Sequence, residues 1–316
     1  MAEPMGPVTT HLKFPTIDFS KEDLKPGIGN WEMVREQVRE ALEEYGCFEV
    51  FTNEVPLELH EAIFAAAEQL FDLPVETKLR NTSKKPLFGY IGHDPIHHES
   101  LCIDEAPVLE KAQSFTDLIW PEGNSAFCEI AYSFSKGVMK LEHTVTKMVF
   151  ESFGVEKYHQ SFIRSTNYIL RFIKYPGTQT NNECKVGIGT HTDKNLLTIL
   201  HQNQVNGLEV QTQGGEWIKF TPSPSSFIVL VGEAFMAWSN GRLHCPRHRV
   251  MISASESRYS IGLFSVGKGI IQSPDELVDE EHPLLFKPFD NLGLISFYQT
   301  EEGHKAESTI KAYCGL

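Results

Sequence analysis

Residues 186–200, VGIGTHTDKNLLTIL, place the polar triplet His191-Thr192-Asp193 shortly before an apolar run. The run NLLTIL is apolar and contains β-branched residues, which is typical of a buried strand. Alternate side chains of an extended chain point to the same face, so His191 and Asp193 are aimed at one point. An imidazole and a carboxylate side by side indicate either a hydrogen-bonded pair or two ligands of a metal ion.

The chain around this stretch also predicts strands. From about residue 166, short apolar runs alternate with Gly, Pro, Ser or Asn, a pattern that favours an antiparallel sandwich or barrel such as a jelly roll. These runs are NYILRFIKY, NLLTILHQ, GLEVQTQ, EWIKFT, SFIVLVG, HRVMIS and YSIGLFSV.

The first half of the chain reads mainly as helices. Helical spacing of apolar residues appears in NWEMVREQVREALEEYG, in LELHEAIFAAAEQLFDLP and over residues 127–153, while FPTIDF and CFEVFTNEVP read as strands. The Gly- and Pro-rich residues 82–125 predict irregular, exposed loops. We therefore predict a mainly β fold in a single unit of 316 residues. A mostly helical region (1–160) precedes a jelly-roll core (161–268), and a partly helical segment (269–316) closes the chain.

Composition limits the partners and the compartment. The chain has 28 Lys and Arg against 42 Asp and Glu, a net charge of −14, which disfavours nucleic-acid binding. Six scattered cysteines without a C-x-x-C spacing are typical of free thiols in a reducing compartment. The N-terminus lacks a signal-peptide core, and no apolar window reaches membrane-span length. We expect a cytoplasmic monomer, with a nuclear share left open, and neither a nucleic-acid nor a membrane partner.

A third metal ligand is predicted at His248, which opens the strand HRVMIS. In a two-sheet fold, residues this far apart in sequence can meet at one mouth. Two His and one carboxylate are the donor set of non-haem Fe(II) sites, which keep coordination positions open. His244 is the rival ligand, since a helical segment would place His244 and His248 on one face as in a zinc site. Pro246 between them and the strand-like RVMI favour His248.

The stretch SESRYSIGLF carries a candidate anion site. Arg258 and Ser260 lie on one face of a strand, and an arginine fork with a neighbouring hydroxyl matches a carboxylate. An unpaired arginine inside a β core is costly, so a buried Arg258 requires an anionic partner. The alternative is an exposed arginine at a strand start, the commoner place for this residue.

With these residues in this order, the sequence resembles the plant 2-oxoglutarate/Fe(II)-dependent dioxygenases over nearly its whole length. The motifs that carry the resemblance are FPTIDF, YGCFEVFTNEVP, LFDLPVETKLRN, HTDKNLLTIL, GLEV, WIKFTPSPSSFIVLVGE, WSNGR and HRV. ELVDEEHPLLFKPFD and AYC near the end of the chain resemble more closely the branch that modifies glucosinolate side chains. Relatives of that branch act on other specialised metabolites, including steroidal alkaloids.

The resemblance implies a double-stranded β-helix core, a small-molecule substrate and the cofactors Fe(II), 2-oxoglutarate and dioxygen, with ascorbate as reductant. His191, Asp193 and His248 would hold iron. Arg258 and Ser260 would bind the distal carboxylate of 2-oxoglutarate, and Tyr175 in IKYP would add a hydrogen bond there. Ile173 stands where the family pattern has Asn. Related halogenases lack the carboxylate found here at Asp193, so the resemblance favours hydroxylation of an unactivated C–H bond, with release of succinate and CO2.

The sequence also offers candidates for the substrate pocket, although core packing or surface exposure explains each of them equally well. They are Phe264, Phe235, Trp238, Tyr90 and His93, with His97 and His98 in the same His-rich loop. That loop predicts a mobile lid or, alternatively, a second metal site, although its spacing matches no zinc pattern. Two other functions stay open: an Fe(II) oxidase of this fold that does not use 2-oxoglutarate, and a non-catalytic jelly-roll binding protein.

Overall fold

The computed structural model describes residues 13–21, 24–92, 98–178 and 184–316. Its strands are β1 Thr16–Asp18, β2 Cys47–Phe51, β3 Glu99–Asp104, β4 Thr166–Tyr175, β5 Lys185–His191, β6 Leu197–Gln202, β7 Leu208–Gln211, β8 Trp217–Lys219, β9 Ser226–Val231, β10 His248–Ile252, β11 Arg258–Gly267, β12 Ile270–Ile271 and β13 Phe289–Asp290. Its α-helices are α1 Trp31–Glu44, α2 Leu57–Phe71, α3 Val75–Lys78, α4 Leu109–Ile119, α5 Ser125–Ser152, α6 His159–Arg164, α7 Glu233–Trp238, α8 Asn291–Tyr298, α9 Glu301–Lys305 and α10 Thr309–Cys314. Two 3-10 turns, Glu156–Tyr158 and Asp275–Leu277, complete the elements.

The strands form two main sheets, as the predicted jelly roll requires. The larger sheet has seven strands in the order β1-β2-β9-β6-β11-β4-β3, and the smaller has four in the order β5-β10-β7-β8. The β1–β2 pair is parallel, and the other pairs of both sheets are antiparallel. The predicted fold class, a β core with helical flanks, is therefore confirmed.

The helical layer follows the predicted periodicity. In α1 the buried residues are Trp31, Val34, Val38, Ala41 and Leu42, which is the stripe expected from 3.6-residue spacing. The long helix α5 contacts α1, α2 and α4. Gly46 follows α1 with φ +67, and a Cβ there would lie 2.3 Å from the carbonyl oxygen of His244. Glycine is required here both for its conformation and for the close approach of the two chain segments.

The prediction of irregular loops over residues 82–125 is wrong in part, because β3 and α4 lie there. β3 pairs with β4 at the edge of the large sheet and buries Leu101, Cys102 and Ile103. α4 packs on α5 through residues such as Phe115 and Ile119. Glycine and proline flank these two elements but do not occur within them. β3 also forms only by pairing with β4, which lies more than 60 residues later in the sequence.

The described part of the chain contains no helix that combines the length and the apolar character needed to cross a membrane.

Candidate active site

The two predicted histidine ligands meet because their strands are neighbours in the small sheet. His191 ends β5, His248 begins β10, and the two residues are directly paired in the antiparallel register. Their ring centroids lie 4.2 Å apart. β5 itself was not among the predicted strands; its glycines, Gly187 and Gly189, hide the alternation that signals a strand.

Asp193 completes the cluster from the loop between β5 and β6. Its Oδ1 lies 3.8 Å from Nε2 of His191 and 3.8 Å from Nε2 of His248. One ligand atom from each of the three residues falls within 4.8 Å of the others. Within the described residues this is the one group of metal-ligating side chains that converges in this way. Two imidazoles and one carboxylate fit Fe(II) and leave further coordination positions free.

The groups around the cluster hold each ligand in a binding orientation. Nδ1–H of His191 donates to the Gly189 carbonyl at 2.8 Å, which leaves the Nε2 lone pair free for a metal. The hydroxyl of Thr198 donates to Oδ2 of Asp193 at 2.5 Å, which leaves Oδ1 free. Burial and the neighbouring His248 lower the pKa of His191 to about 4. Burial opposes ionisation of Asp193, but His248, His191, the Thr198 hydroxyl and Lys194 together outweigh it, so the pKa of Asp193 lies below its ordinary value.

Arg258 is fully buried at the start of β11. Its Nη2 donates to Oε1 of Gln202 at 2.5 Å, and its Nη1 donates to the Ser260 hydroxyl at 3.4 Å. The guanidinium lies over the ring of Tyr175, 4.9 Å from the centroid, and its buried Nε has no acceptor among the described residues. A buried cation without a carboxylate partner fits the distal carboxylate of 2-oxoglutarate.

The register of β4 and β11 explains this grouping. Tyr175 lies directly opposite Arg258, and Ile173 lies opposite Ser260. Opposed residues of an antiparallel pair share a face, so all four side chains point the same way. Ile173, which stands where the family pattern has Asn, therefore lines the site as an apolar side chain.

A cavity of about 400 Å³ lies between the two sheets and contains both groups of residues. Loop residues 86–88 and α8 also line it, and so does the predicted pocket residue Phe264. The six residues predicted for iron and 2-oxoglutarate all line this one cavity: His191, Asp193, His248, Arg258, Ser260 and Tyr175.

Other predicted pocket residues require correction. Phe235 and Trp238 belong to α7 and pack into the core, where the Trp238 ring stacks on Phe150 at 4.2 Å. Their aromatic rings pack against apolar side chains of α5 and α6, such as Phe150 and Phe162. Tyr90 lines a neighbouring surface pocket, and its hydroxyl donates to Glu99 at 3.1 Å.

Two residues of the His-rich loop, His93 and His97, lie outside the described residues, so the structure offers no test of a lid or a second metal site there. His98 is described and lines the cavity. Its Nδ1 lies 3.1 Å from the Gly187 carbonyl oxygen.

Sequence reasoning missed several residues of the site. Thr198 and Gln202 face the cavity side of β6, and their period-two spacing in an apolar strand was the available signal. Arg171 on β4 also lines the cavity. Lys194 and Glu233 form a buried ion pair behind the metal ligands, with Nζ and Oε1 3.0 Å apart. Nothing in the local pattern predicts that pair.

Comparison with known proteins agrees with the site. The model for the 2OG-Fe(II) oxygenase superfamily matches residues 164–266, and the model for the N-terminal region of the non-haem dioxygenases of morphine synthesis matches residues 14–115. The chain belongs to the 2OG-Fe(II) oxygenase superfamily and is a 2-oxoglutarate-dependent dioxygenase. Fe(II) and 2-oxoglutarate are its cofactors, and when bound they supply the oxidising power through oxidative decarboxylation of the keto acid.

Individual relatives support this assignment over the full length. A probable 2-oxoglutarate-dependent dioxygenase of Arabidopsis thaliana, AOP1.2, is 46% identical over 317 residues and covers 98% of each chain. The solved structure of the rice dioxygenase for auxin oxidation has a TM-score of 0.81 at 28% identity and covers 96% of this chain and 100% of its own. Its Arabidopsis counterpart, in complex with 2-oxoglutarate, has a TM-score of 0.76 at 29% identity and covers 86% of this chain and 100% of its own.

Proposed function

We propose that this dioxygenase hydroxylates an unactivated C–H bond of a small plant specialised metabolite and releases succinate and CO2. The observation that carries the proposal is that three metal-binding side chains and an unneutralised buried arginine share one cavity. The relatives from plants support the substrate class. The carboxylate of Asp193 supports hydroxylation, because it fills the coordination position that a halogenase leaves to a halide.

Each residue has a defined role in this proposal. His191, Asp193 and His248 hold the metal through Nε2, Oδ1 and Nε2. The guanidinium of Arg258 and the hydroxyls of Ser260 and Tyr175 hold the distal carboxylate of 2-oxoglutarate and so fix the direction in which the keto acid faces the metal. The apolar wall that includes Phe264 excludes water and positions the substrate.

We also propose that the whole chain is one catalytic unit that acts as a cytoplasmic monomer. The contribution of α8, from the closing segment, to the cavity wall supports the single unit. Light scattering of the purified protein tests the monomer, and a mass of twice 35.7 kDa would contradict it.

Anaerobic visible absorption tests the site. Adding 2-oxoglutarate to the protein with Fe(II) should produce a weak charge-transfer band. We expect His248→Ala to lose the band and His244→Ala to keep it, because the His244 ring lies outside the cluster. Arg258→Gln should raise the 2-oxoglutarate concentration needed for the band at least about tenfold, since a charge-assisted pair is lost.

The opposite results are equally informative. A band that survives His248→Ala but disappears in His244→Ala would reject the chosen ligands. Iron binding without any 2-oxoglutarate-dependent band would indicate the rival oxidase. Absence of both iron and band would indicate a binding protein.

A further inference from the structure

Arg171 is a second arginine in the cavity, at a distance from Arg258. On β4 the Arg171 position lies opposite Gly262, whereas Tyr175 lies opposite Arg258. Four residues of strand separate the two levels by roughly 13 Å, at about 3.3 Å per residue. A five-carbon diacid held at Arg258 and at the metal does not need Arg171, so this arginine is available to another ligand.

The contacts of Arg171 orient its charge without neutralising it. Nη1 donates to the Ser100 hydroxyl at 2.9 Å, and Nη2 donates to the Leu87 carbonyl. Both acceptors are neutral, and the described residues contain no carboxylate paired with this guanidinium. Among the described wall residues, the remaining cation besides Arg258 is Lys194, which is paired with Glu233.

The charges along the described part of the cavity wall do not include a negative charge that would balance Arg171. Among the described residues, the wall includes one carboxylate, Asp193, which would bind the metal. Fe(II), Asp193, Arg258 and doubly ionised 2-oxoglutarate together sum to zero net charge. Arg171, which is half-buried in the cavity wall, then keeps a positive charge that no described carboxylate balances, and this charge would attract an acidic ligand.

The surroundings of Arg171 define the rest of the ligand. Gly262 opposite Arg171 has no side chain, and a Cβ there would lie 2.7 Å from the Phe264 ring. The nearby wall is apolar and includes Phe88, Ile91, Ile169, Phe264 and Ile295. One cation in an apolar wall matches an apolar molecule that carries one acidic group.

We propose that Arg171 binds a carboxylate of the substrate, and that this dioxygenase therefore acts on apolar small acids. The proposal rests on the function proposed above and specifies its substrate class. The guanidinium fork selects the carboxylate, and the distance between Arg171 and the metal selects which carbon faces the metal.

The test compares acids with their own methyl esters, which differ in charge but hardly in shape. Cinnamate, indole-3-acetate, decanoate and cholate, each beside its ester, are titrated anaerobically into protein loaded with Fe(II) and saturating 2-oxoglutarate. Perturbation of the charge-transfer band reports binding without turnover. We expect at least one acid to bind about tenfold or more tightly than its ester, the strength of a charge-assisted pair.

Variants assign the preference to Arg171. Arg171→Gln should lose the preference for acid over ester, and Arg171→Lys should keep part of it. Lys174→Gln is the matched control, because Lys174 lies on the same strand but outside the cavity wall and over the Tyr259 ring. The control should behave as wild type.

Two results would overturn the inference while leaving the proposed function intact. One is a wild-type protein that forms the normal 2-oxoglutarate band but binds no acid more tightly than its ester. The other is an acid preference that persists in Arg171→Gln. A wild-type protein without the 2-oxoglutarate band would instead refute the proposed function, and the inference with it.

Discussion

The orientation of Asp193 depends on the hydroxyl of Thr198, which donates to the carboxylate oxygen that faces away from the metal site. Thr198→Val keeps the shape of the side chain and removes the donor. We expect Fe(II) affinity to fall by about 10- to 100-fold, as is typical when a group that orients a metal ligand is lost. Anaerobic calorimetric titration measures it. Thr198→Ser should restore most of the affinity, and equal affinity of wild type and Thr198→Val would show that Asp193 is oriented otherwise.

Gln202 is a neutral partner of Arg258: its amide oxygen accepts a hydrogen bond from Nη2 at 2.5 Å and leaves the positive charge of the guanidinium unbalanced. Gln202→Glu puts a carboxylate at that place and neutralises the arginine. We expect the dissociation constant for 2-oxoglutarate to rise at least about tenfold, measured through the charge-transfer band. Gln211→Glu, the same change outside the cavity on β7, is the control. Unchanged affinity in Gln202→Glu would mean that Arg258 does not bind the co-substrate.

A site residue can be predicted from the sequence where its immediate neighbours indicate which way its side chain points. Alternation along an extended chain predicts that His191 and Asp193, and Arg258 and Ser260, face the same way, and the structure places both pairs in the cavity, although Asp193 lies in the loop after β5 and not in a strand. Arg171 carries no such signal, since a charged residue in a strand usually faces solvent. Its direction follows from pairing with Gly262, which is far along the chain.

At the level of elements, the spacing of apolar residues predicts the long helices, because each must bury one face. α1, α2 and α5 have apolar stripes long enough to be read directly. β3 and α7 are short, and their environment is set by partners remote in sequence: β4 for the first, α5 and α6 for the aromatic residues of the second. Phe235 and Trp238 are candidates for the pocket on sequence alone, and of the alternatives left open for them the structure shows core packing.

The loop that carries Asp193 is joined to α7 by the buried Lys194–Glu233 pair. Nζ also donates to the carbonyl and hydroxyl oxygens of Thr192, at 2.7 and 2.8 Å. Lys194→Met should lower the free energy of unfolding by about 3–5 kcal/mol, because Glu233 is left buried without its cation. Urea denaturation measures the loss.

The double variant distinguishes the pair from its separate members. Lys194→Met combined with Glu233→Leu removes both charges, so we expect it to be more stable than Lys194→Met alone. Strictly additive losses would mean that the two residues stabilise the loop and α7 independently.

At the scale of the whole molecule, the site exists because two sheets supply different chemistry. The small sheet and its loop provide the metal ligands, whereas β4 and β11 of the large sheet provide both arginines. α8 completes the wall: Asn291, at its start, donates to the Lys194 carbonyl at 2.7 Å and accepts from the Gly267 amide at 3.0 Å. The sequence predicts the contents of each layer, but the distance between the layers, and hence the substrate, follows from their packing.

The packing of helix on sheet also buries an acid, Glu142 of α5, which the Tyr168 hydroxyl contacts at 3.0 Å. Burial raises the pKa of Glu142 from its ordinary value of 4.5 to about 7. The folded state thus keeps a proton that the unfolded state releases. The stabilising effect of this proton is complete below about pH 4.5 and is lost as pH rises through about 7. The total change is roughly 3 kcal/mol, at 1.36 kcal/mol per pKa unit.

Glu142→Gln should reveal this contribution, because glutamine stays neutral at every pH. Relative to wild type, we expect the variant to gain stability between pH 5 and pH 8 in denaturant titrations. Histidines whose pKa is lowered by burial, such as His159 and His201, act oppositely but equally in both proteins and cancel in the difference. Glu129→Gln, at an exposed position of α5, should keep the wild-type slope. Parallel curves for wild type and Glu142→Gln would mean that Glu142 is ionised in the folded protein and that the interior compensates its charge.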